Sequence, residues 1–186
     1  MRVIAGKAKG HHLKFERSTR LRPTSDMIKG AIFSALNSMQ IDFSSVLDLY
    51  AGTGALGIEA LSRGAAHADF VEKDPKFCAI IKDNLEHTRL SEQAHVYCSI
   101  AAKALSFLKE RYLLVLVDPP YADPKAQDML QMLADSTIVG EGSTLVVEHA
   151  ERSLLAKTYS SFYQVKQINH GDTSVSIYQF QAGGQS

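Results

Sequence analysis

Asp48-Leu49-Tyr50-Ala51-Gly52-Thr53-Gly54-Ala55-Leu56-Gly57 joins an apolar run to a helical one through a glycine-rich loop. A strand is predicted over 46–50 and a helix over 56–63, closed by Gly64. Gly52 and Gly54 permit a tight turn in which a ligand can approach backbone N–H groups closely. Gly57 lets the helix lie close against a strand. The same alternation continues along the chain. Strands are predicted at 68–72, 96–99, 113–118 and 143–148. Helices are predicted at 75–88, where Pro75 suits the first turn, at 101–111 and 125–135, and as a short piece at 151–157. The segments 162–170 and 173–180 read as a hairpin turned at Gly171-Asp172. Strands alternating with helices give a mainly parallel α/β sheet, here of seven strands, with helices on both faces. Ligands in such sheets sit outside the carboxyl ends of the strands, near the point where the strand order reverses.

Three segments fall at those ends: 48–57, Glu72 and 118–121. The last belongs to Val117-Asp118-Pro119-Pro120-Tyr121, which follows the apolar run 113–116. Two successive prolines remove two donors and fix two φ angles, so this loop is stiff. The carbonyls of Asp118 and Pro119 are each followed by a residue without an N–H. Asp118 adds a carboxylate and Tyr121 a flat ring. Acceptors in a plane beside an aromatic face suit a planar amine. We therefore assign Asp118, Pro119, Pro120 and Tyr121 to catalysis.

Residues 52–57 also satisfy G-x-G-x-x-G, so a nicotinamide cofactor comes into consideration. Asp48 argues against it, because a carboxylate before the loop faces a pyrophosphate poorly and an ammonium group well. A proline-locked amine cradle also serves no purpose in hydride transfer. A nucleoside bearing an amino acid, S-adenosylmethionine, fits better. Glu72, twenty residues after Gly52, would accept both ribose hydroxyls.

The charge is zero overall but unevenly placed. Residues 1–30 carry eight Lys/Arg against Glu16 and Asp26, a balance of +6, and the rest of the chain carries −6. A cationic arm on an acidic body suggests a polyanion partner. Arg2, Lys7, Lys9, Lys14, Arg20 and Arg22 are the candidate phosphate contacts. The arm reads as a hairpin, 2–5 with 11–15, then an extended stretch to Pro23. A helix capped by Thr24 or Ser25 runs to about Met39 and joins the arm to the main domain. The division expected is 1–44 as a basic extension, 45–181 as the catalytic domain and 182–186 as a flexible tail.

At 186 residues, 45% apolar and 22% charged, one globular domain with an appendage is expected. Cys78 and Cys98 have no metal-clip spacing and suggest reduced thiols in a cytoplasmic protein. Cys98 is expected in the core. His149 and His170 are expected in surface or loop positions, and no metal site is expected. Nothing resembles a signal peptide or a membrane span. We expect a monomer.

These residues together resemble the bacterial 16S ribosomal RNA guanine-N2 methyltransferases of the RsmD type. The resemblance runs along essentially the whole chain. It rests on Arg2-Val3-Ile4-Ala5-Gly6-Lys7, Leu21-Arg22-Pro23-Thr24, residues 48–57 with Glu59-Ala60-Leu61-Ser62-Arg63-Gly64-Ala65, 117–121, and Gly171-Asp172-Thr173. Asp-Pro-Pro-Tyr alone also occurs in DNA adenine methyltransferases. The resemblance implies a Rossmann-like class I methyltransferase fold, with an antiparallel terminal strand and an N-terminal hairpin-helix extension. It implies cofactor contacts from Asp48, Gly52, Gly54 and Glu72, with Asp118 and Tyr121 at the target base. Ser99 stands at the end of strand three, where related enzymes often place an Asp on the adenine. The partner implied is 16S ribosomal RNA or the small ribosomal subunit. The reaction implied is in-line attack of an exocyclic amine on a sulfonium methyl, on a base drawn out of its stack. A DNA adenine-N6 methyltransferase, a nicotinamide oxidoreductase and a non-catalytic RNA-binding module are the alternatives. A chain of this length has no room for a separate DNA target-recognition domain.

Overall fold

The structure, a computed structural model, describes residues 1–15, 25–119 and 126–182. The predicted alternation is present. The first unit is β1 (Ser45–Asp48), α2 (Ala55–Ser62) and β2 (His67–Glu72), preceded by α1 (Asp26–Ser38). Next come α3 (Pro75–Thr88), β3 (Ala94–Cys98), α4 (Ala101–Phe107) and β4 (Leu114–Val117). The chain closes with α5 (Ala126–Ala134), β5 (Thr144–Ala150), β6 (Thr158–Tyr159), β7 (Phe162–His170) and β8 (Thr173–Phe180).

The strands form one sheet in the order β3-β2-β1-β4-β5-β8-β7-β6. The first five are parallel, and β8, β7 and β6 are antiparallel to their neighbours. The order reverses between β1 and β4, which places the ligand crevice at their carboxyl ends. Side chains alternate strictly between two cores, as the two-residue period of a strand requires. Val46, Phe70, Leu114, Leu116 and Val146 face one core, closed by residues of α1, α2 and α3. Leu47, Val71, Val115, Val117 and Val147 face the other, closed by residues of α4 and α5.

Three expectations need correction. Among the described residues the sheet has eight strands, not seven. The extra one is β6, a two-residue edge strand directly after the stretch where a short helix was expected; residues 151–157 form no helix, and Ser153 N–H turns back onto the Ala150 carbonyl at 2.9 Å. β5 runs on through Ala150 because β8 pairs with it as far as Thr173, so His149 is buried and bonded to Ser176 Oγ at 2.9 Å. Cys98 is exposed, because β3 is an edge strand, and Cys78 is the buried thiol.

The arm is built into the first core. Val3, Ala8 and Leu13 are buried with Ile32 and Leu36 of α1 and Ile58 of α2. Arg2 pairs with His12, the bridge of the expected hairpin. Gly6 is required where its backbone meets the end of α2: a Cβ there would lie 1.8 Å from the Ser62 carbonyl oxygen. Its φ of +81° also favours glycine. Ser25 caps α1, accepting from Ile28 N–H. Among the described residues no helix is long and apolar enough to cross a membrane.

Candidate functional site

Four strand ends lie side by side along one edge of the sheet. Ser99 follows β3, Glu72 ends β2, residues 49–54 follow β1, and Asp118 follows β4. Past β1 the chain threads between its neighbours, with Leu49 N–H donating to Leu116 C=O at 2.9 Å and Ala51 N–H to Val71 C=O at 3.0 Å. Gly52 and Gly54 both have positive φ, as the turn demands. Glu72 braces this turn. One carboxylate oxygen accepts from Gly52 N–H and the other from Asp74 N–H, each at 2.9 Å. A carboxylate offers about four lone-pair sites, so both oxygens keep acceptor capacity for further donors. Ser99 lies beside it, its N–H on the Glu72 carbonyl at 2.9 Å. The Cys78 thiol reaches that same carbonyl at 3.2 Å, and burial with the adjacent Cys98 pushes the Cys78 thiol up to about 12.

Asp48 is only 1% exposed. Its Oδ2 accepts from Gly57 N–H at 2.9 Å, so the carboxylate already occupies a first-turn amide of α2. Gly57 makes this approach possible. A Cβ there would lie 2.4 Å from the Phe70 ring and 3.2 Å from Asp48 Oδ2. Burial pushes the Asp48 carboxyl up to about 7; the Gly57 N–H opposes this and the charge of Glu72 adds to it. A pyrophosphate on the α2 terminus would face this carboxylate and compete with it for the amide. That arrangement disfavours a dinucleotide and suits a cationic amine.

Asp118 is half-buried at the end of β4, and Pro119 is buried. Pro120 and Tyr121 lie outside the described residues, as do Arg20 and Arg22. Arg2, Lys7, Lys9 and Lys14 are all exposed. Arg2 is 3.6 Å from Asp26, Lys14 is 2.9 Å from Asp83, and Lys7 hydrogen-bonds Gln93. Exposed pairs of this kind hold weakly, and a phosphate can replace them.

Two residues with larger structural parts than the sequence suggested are Glu59 and Asn84. Glu59 is fully buried on α2 and accepts from Ile4 N–H at 2.8 Å, Ala5 N–H at 3.0 Å and Arg63 Nε at 2.8 Å. Lys29 Nζ, also fully buried, is 3.7 Å away and donates to Arg2 C=O at 2.5 Å. Burial lowers the Lys29 pKa, opposed by Glu59 and Asp26. Lys29 is therefore a fastening of the arm and not part of its cationic surface. The available signal was a single carboxylate inside the apolar run Ala55-Leu56-Gly57-Ile58-Glu59-Ala60-Leu61, with Arg63 four residues on.

Comparison with known proteins agrees with this fold. The family described as Conserved hypothetical protein 95 matches residues 1–179. YlbH of Bacillus subtilis, which carries a provisional rRNA methyltransferase name, is 36% identical over 96% of this chain and 98% of its own. The ribosomal RNA small subunit methyltransferase D of Escherichia coli is 30% identical over 100% of this chain and 93% of its own. A solved Escherichia coli structure, yhhF, provisionally named a methyltransferase, superposes with a TM-score of 0.86 at 29% identity, covering 98% of this chain and 99% of its own. An RNA methyltransferase of Salinibacter ruber, solved with S-adenosyl-L-homocysteine, shares the fold with a TM-score of 0.66 at 14% identity, covering 89% of this chain and 98% of its own. The chain belongs to the Conserved hypothetical protein 95 family, that of the RsmD-type ribosomal RNA methyltransferases.

Proposed function

We propose that this protein transfers a methyl group from S-adenosylmethionine to the exocyclic N2 amine of a guanine in 16S ribosomal RNA of the small subunit. The observation that carries this reading is the single edge on which the Gly52–Gly54 turn and Glu72 adjoin Asp118-Pro119 across the reversal point of the sheet. Membership of the family supports ribosomal RNA as the substrate. When bound, S-adenosylmethionine supplies an electrophilic sulfonium methyl.

The residues of the chain do the rest. Glu72 holds the ribose hydroxyls, Gly52 and Gly54 let the backbone approach the ligand, and Ser99 borders the adenine. Asp118 and the Pro119 carbonyl accept the two N–H groups of the target amine and orient its lone pair. Positioning two reactants at attack distance supplies much of the acceleration. Asp118 acts as an acceptor that stabilises developing positive charge, since an ordinary Asp is too weak a base for an arylamine. Tyr121 offers the stacking platform for the extruded base. In this reading residues 1–44 dock RNA and residues 45–181 carry the chemistry. The test is a methylation assay on small subunits from a strain lacking the gene, followed by nucleoside analysis. N2-methylguanosine is the expected product; N6-methyladenosine, or no product, would overturn the reading.

Asp48 gives the site a pH signature. With its carboxyl near 7, a large fraction is protonated in the free protein at neutral pH. A cationic amine brought beside it favours the ionised form, so binding releases a proton and affinity rises as pH rises through the free value. S-adenosylhomocysteine should bind about tenfold more tightly at pH 8 than at pH 6, and then level off. Asp48→Asn should flatten the profile. A flat wild-type profile in calorimetry would show that no ligand charge meets Asp48.

The exposed cations of the arm give a second signature. Each phosphate neutralised on a single strand contributes about 0.7 to the slope of log affinity against log salt. Changing Lys7, Lys9 and Arg20 together to Ala should flatten the slope for RNA by about two units. An unchanged slope in a salt titration would remove the arm as the docking surface.

A further inference from the structure

Asn84 lies in the middle of α3, where asparagine is a poor helix former, and it is fully buried. Its side chain uses three hydrogen bonds, none of them to its own helix. Oδ1 accepts from Lys14 N–H at 2.7 Å. Nδ2 donates to Lys14 C=O at 3.1 Å and to Thr53 C=O at 3.0 Å. The partners fix the orientation of the amide. Turned over, it would set N–H against N–H and its oxygen against two carbonyls. The amide therefore reads Lys14 as a neighbouring strand would, through donor and acceptor together, and spends its remaining donor on the turn Gly52-Thr53-Gly54.

From the sheet side, Gly52 N–H goes to Glu72 and Ala51 N–H to Val71 C=O; Gly54 N–H closes the turn on Ala51 C=O at 2.7 Å, and Thr53 Oγ1 makes a long, weak contact with Met1 Sδ of the arm at 4.0 Å. Asn84 supplies the anchor from the opposite side, and its other partner is the basic arm. Lys14 is tied a second time to α3, through its ammonium on Asp83 at 2.9 Å. That pair is exposed and weak, so it does not replace the buried amide.

We propose that Asn84 is a positioning residue that ties the basic arm to the glycine turn and keeps both ordered before either ligand docks. The two ligands are those of the function proposed above, on which this part of the inference rests: RNA on the arm and S-adenosylmethionine on the turn. A group that holds two segments in place removes the ordering cost from both ligands, so each binds a surface that is already formed.

Asn84→Asp is the test, because it keeps the shape and the acceptor while replacing both donors by oxygen. The first measurement is hydrogen exchange in the ligand-free protein. In the wild type the Lys14 amide and the amides of residues 52–57 should open slowly. In Asn84→Asp both groups should exchange at least about tenfold faster together, while β4 and β5 keep their protection. The second measurement is the affinity for a 16S RNA fragment and, separately, for S-adenosylhomocysteine. Each should weaken at least about threefold in the variant, whose sites must be ordered on binding.

Retained protection at residues 52–57 in the variant would overturn the inference. So would wild-type affinity for both ligands in the variant. A wild type that binds no S-adenosylhomocysteine would sink the methyltransferase reading instead, and the exchange measurement would still decide the tie. If Asn84→Asp does not fold, Asn84→Ser enters the same two measurements.

Discussion

Asp118→Ala should lower kcat for methyl transfer at least about 10²-fold, the scale on which one preorganised electrostatic contact acts. Affinity for S-adenosylhomocysteine should stay within about twofold, because the contacts proposed for the cofactor lie on β1, β2 and β3 and that of Asp118 on β4. The asymmetry follows from the sheet. β1 and β4 are neighbours, so their ends share one crevice, but β1 pairs with β2 on one side of it and β4 with β5 on the other. Asp118 extends a fully buried strand and is followed by a buried proline, so its backbone position is held from both sides. A carboxylate so fixed meets the positive charge that grows on the amine without first reorganising. Asp118→Asn keeps an acceptor oxygen but not the charge, and should fall between the wild type and Ala. Single-turnover rates with saturating RNA and cofactor measure the step directly. An Ala variant that keeps more than about a tenth of kcat would show that this carboxylate does not contact the reacting amine.

How much of this was legible beforehand depends on where each signal lies along the chain. The bounds of α3 match the prediction because both ends are local: Asp74 caps the first turn, accepting from Lys76 N–H, and Pro75 occupies N1. The β7–β8 hairpin matches because a long alternating run flanks Gly171, whose φ is +55°. β6 was missed because a two-residue strand has no period of its own; its partner Phe162–Tyr163 defines it. Cys98 was placed wrongly because an apolar run does not say which strand is the edge.

The site divides in the same way. Gly52, Gly54, Glu72 and Asp118 could be proposed from the sequence because they end predicted strands or fill a recognisable turn. The buried state of Asp48 depends on Gly57 folding back nine residues later, and the sequence gives only the glycine. Asn84 and Glu59 act on partners 70 and 55 residues away. Nothing near them in the chain announces those partners. An isolated polar residue on a buried helix face is a question that only the packing answers.

Glu59→Gln should cost about 3–5 kcal/mol, the scale on which a buried ion pair fails when one partner is removed. Glu59 and Lys29 are both fully buried, so the lysine left behind cannot recover its hydration. Asp26 remains 3.8 Å from it, but that carboxylate is 41% exposed and screens poorly for a buried charge. The Gln amide also turns a donor toward the amides of Ile4 and Ala5, which now share one carboxylate. The damage should centre on residues 1–15, whose main chain Glu59 holds. Trypsin should therefore cut at Lys7, Lys9 and Lys14 well before the rest of the chain, and the urea midpoint should fall. The pH dependence identifies the cause. Burial already sets the folded Lys29 pKa below 10.5, and loss of Glu59 sets it lower still. Between that lowered value and 10.5 the unfolded chain binds more protons, so stability rises with pH there. The deficit of Glu59→Gln should narrow as pH is raised toward 10.5. Adding Lys29→Met should restore much of the loss at neutral pH, since it removes the stranded charge. A double variant no more stable than Glu59→Gln alone would mean that the arm is held by its apolar side chains, Val3, Ala8 and Leu13, and not by this pair.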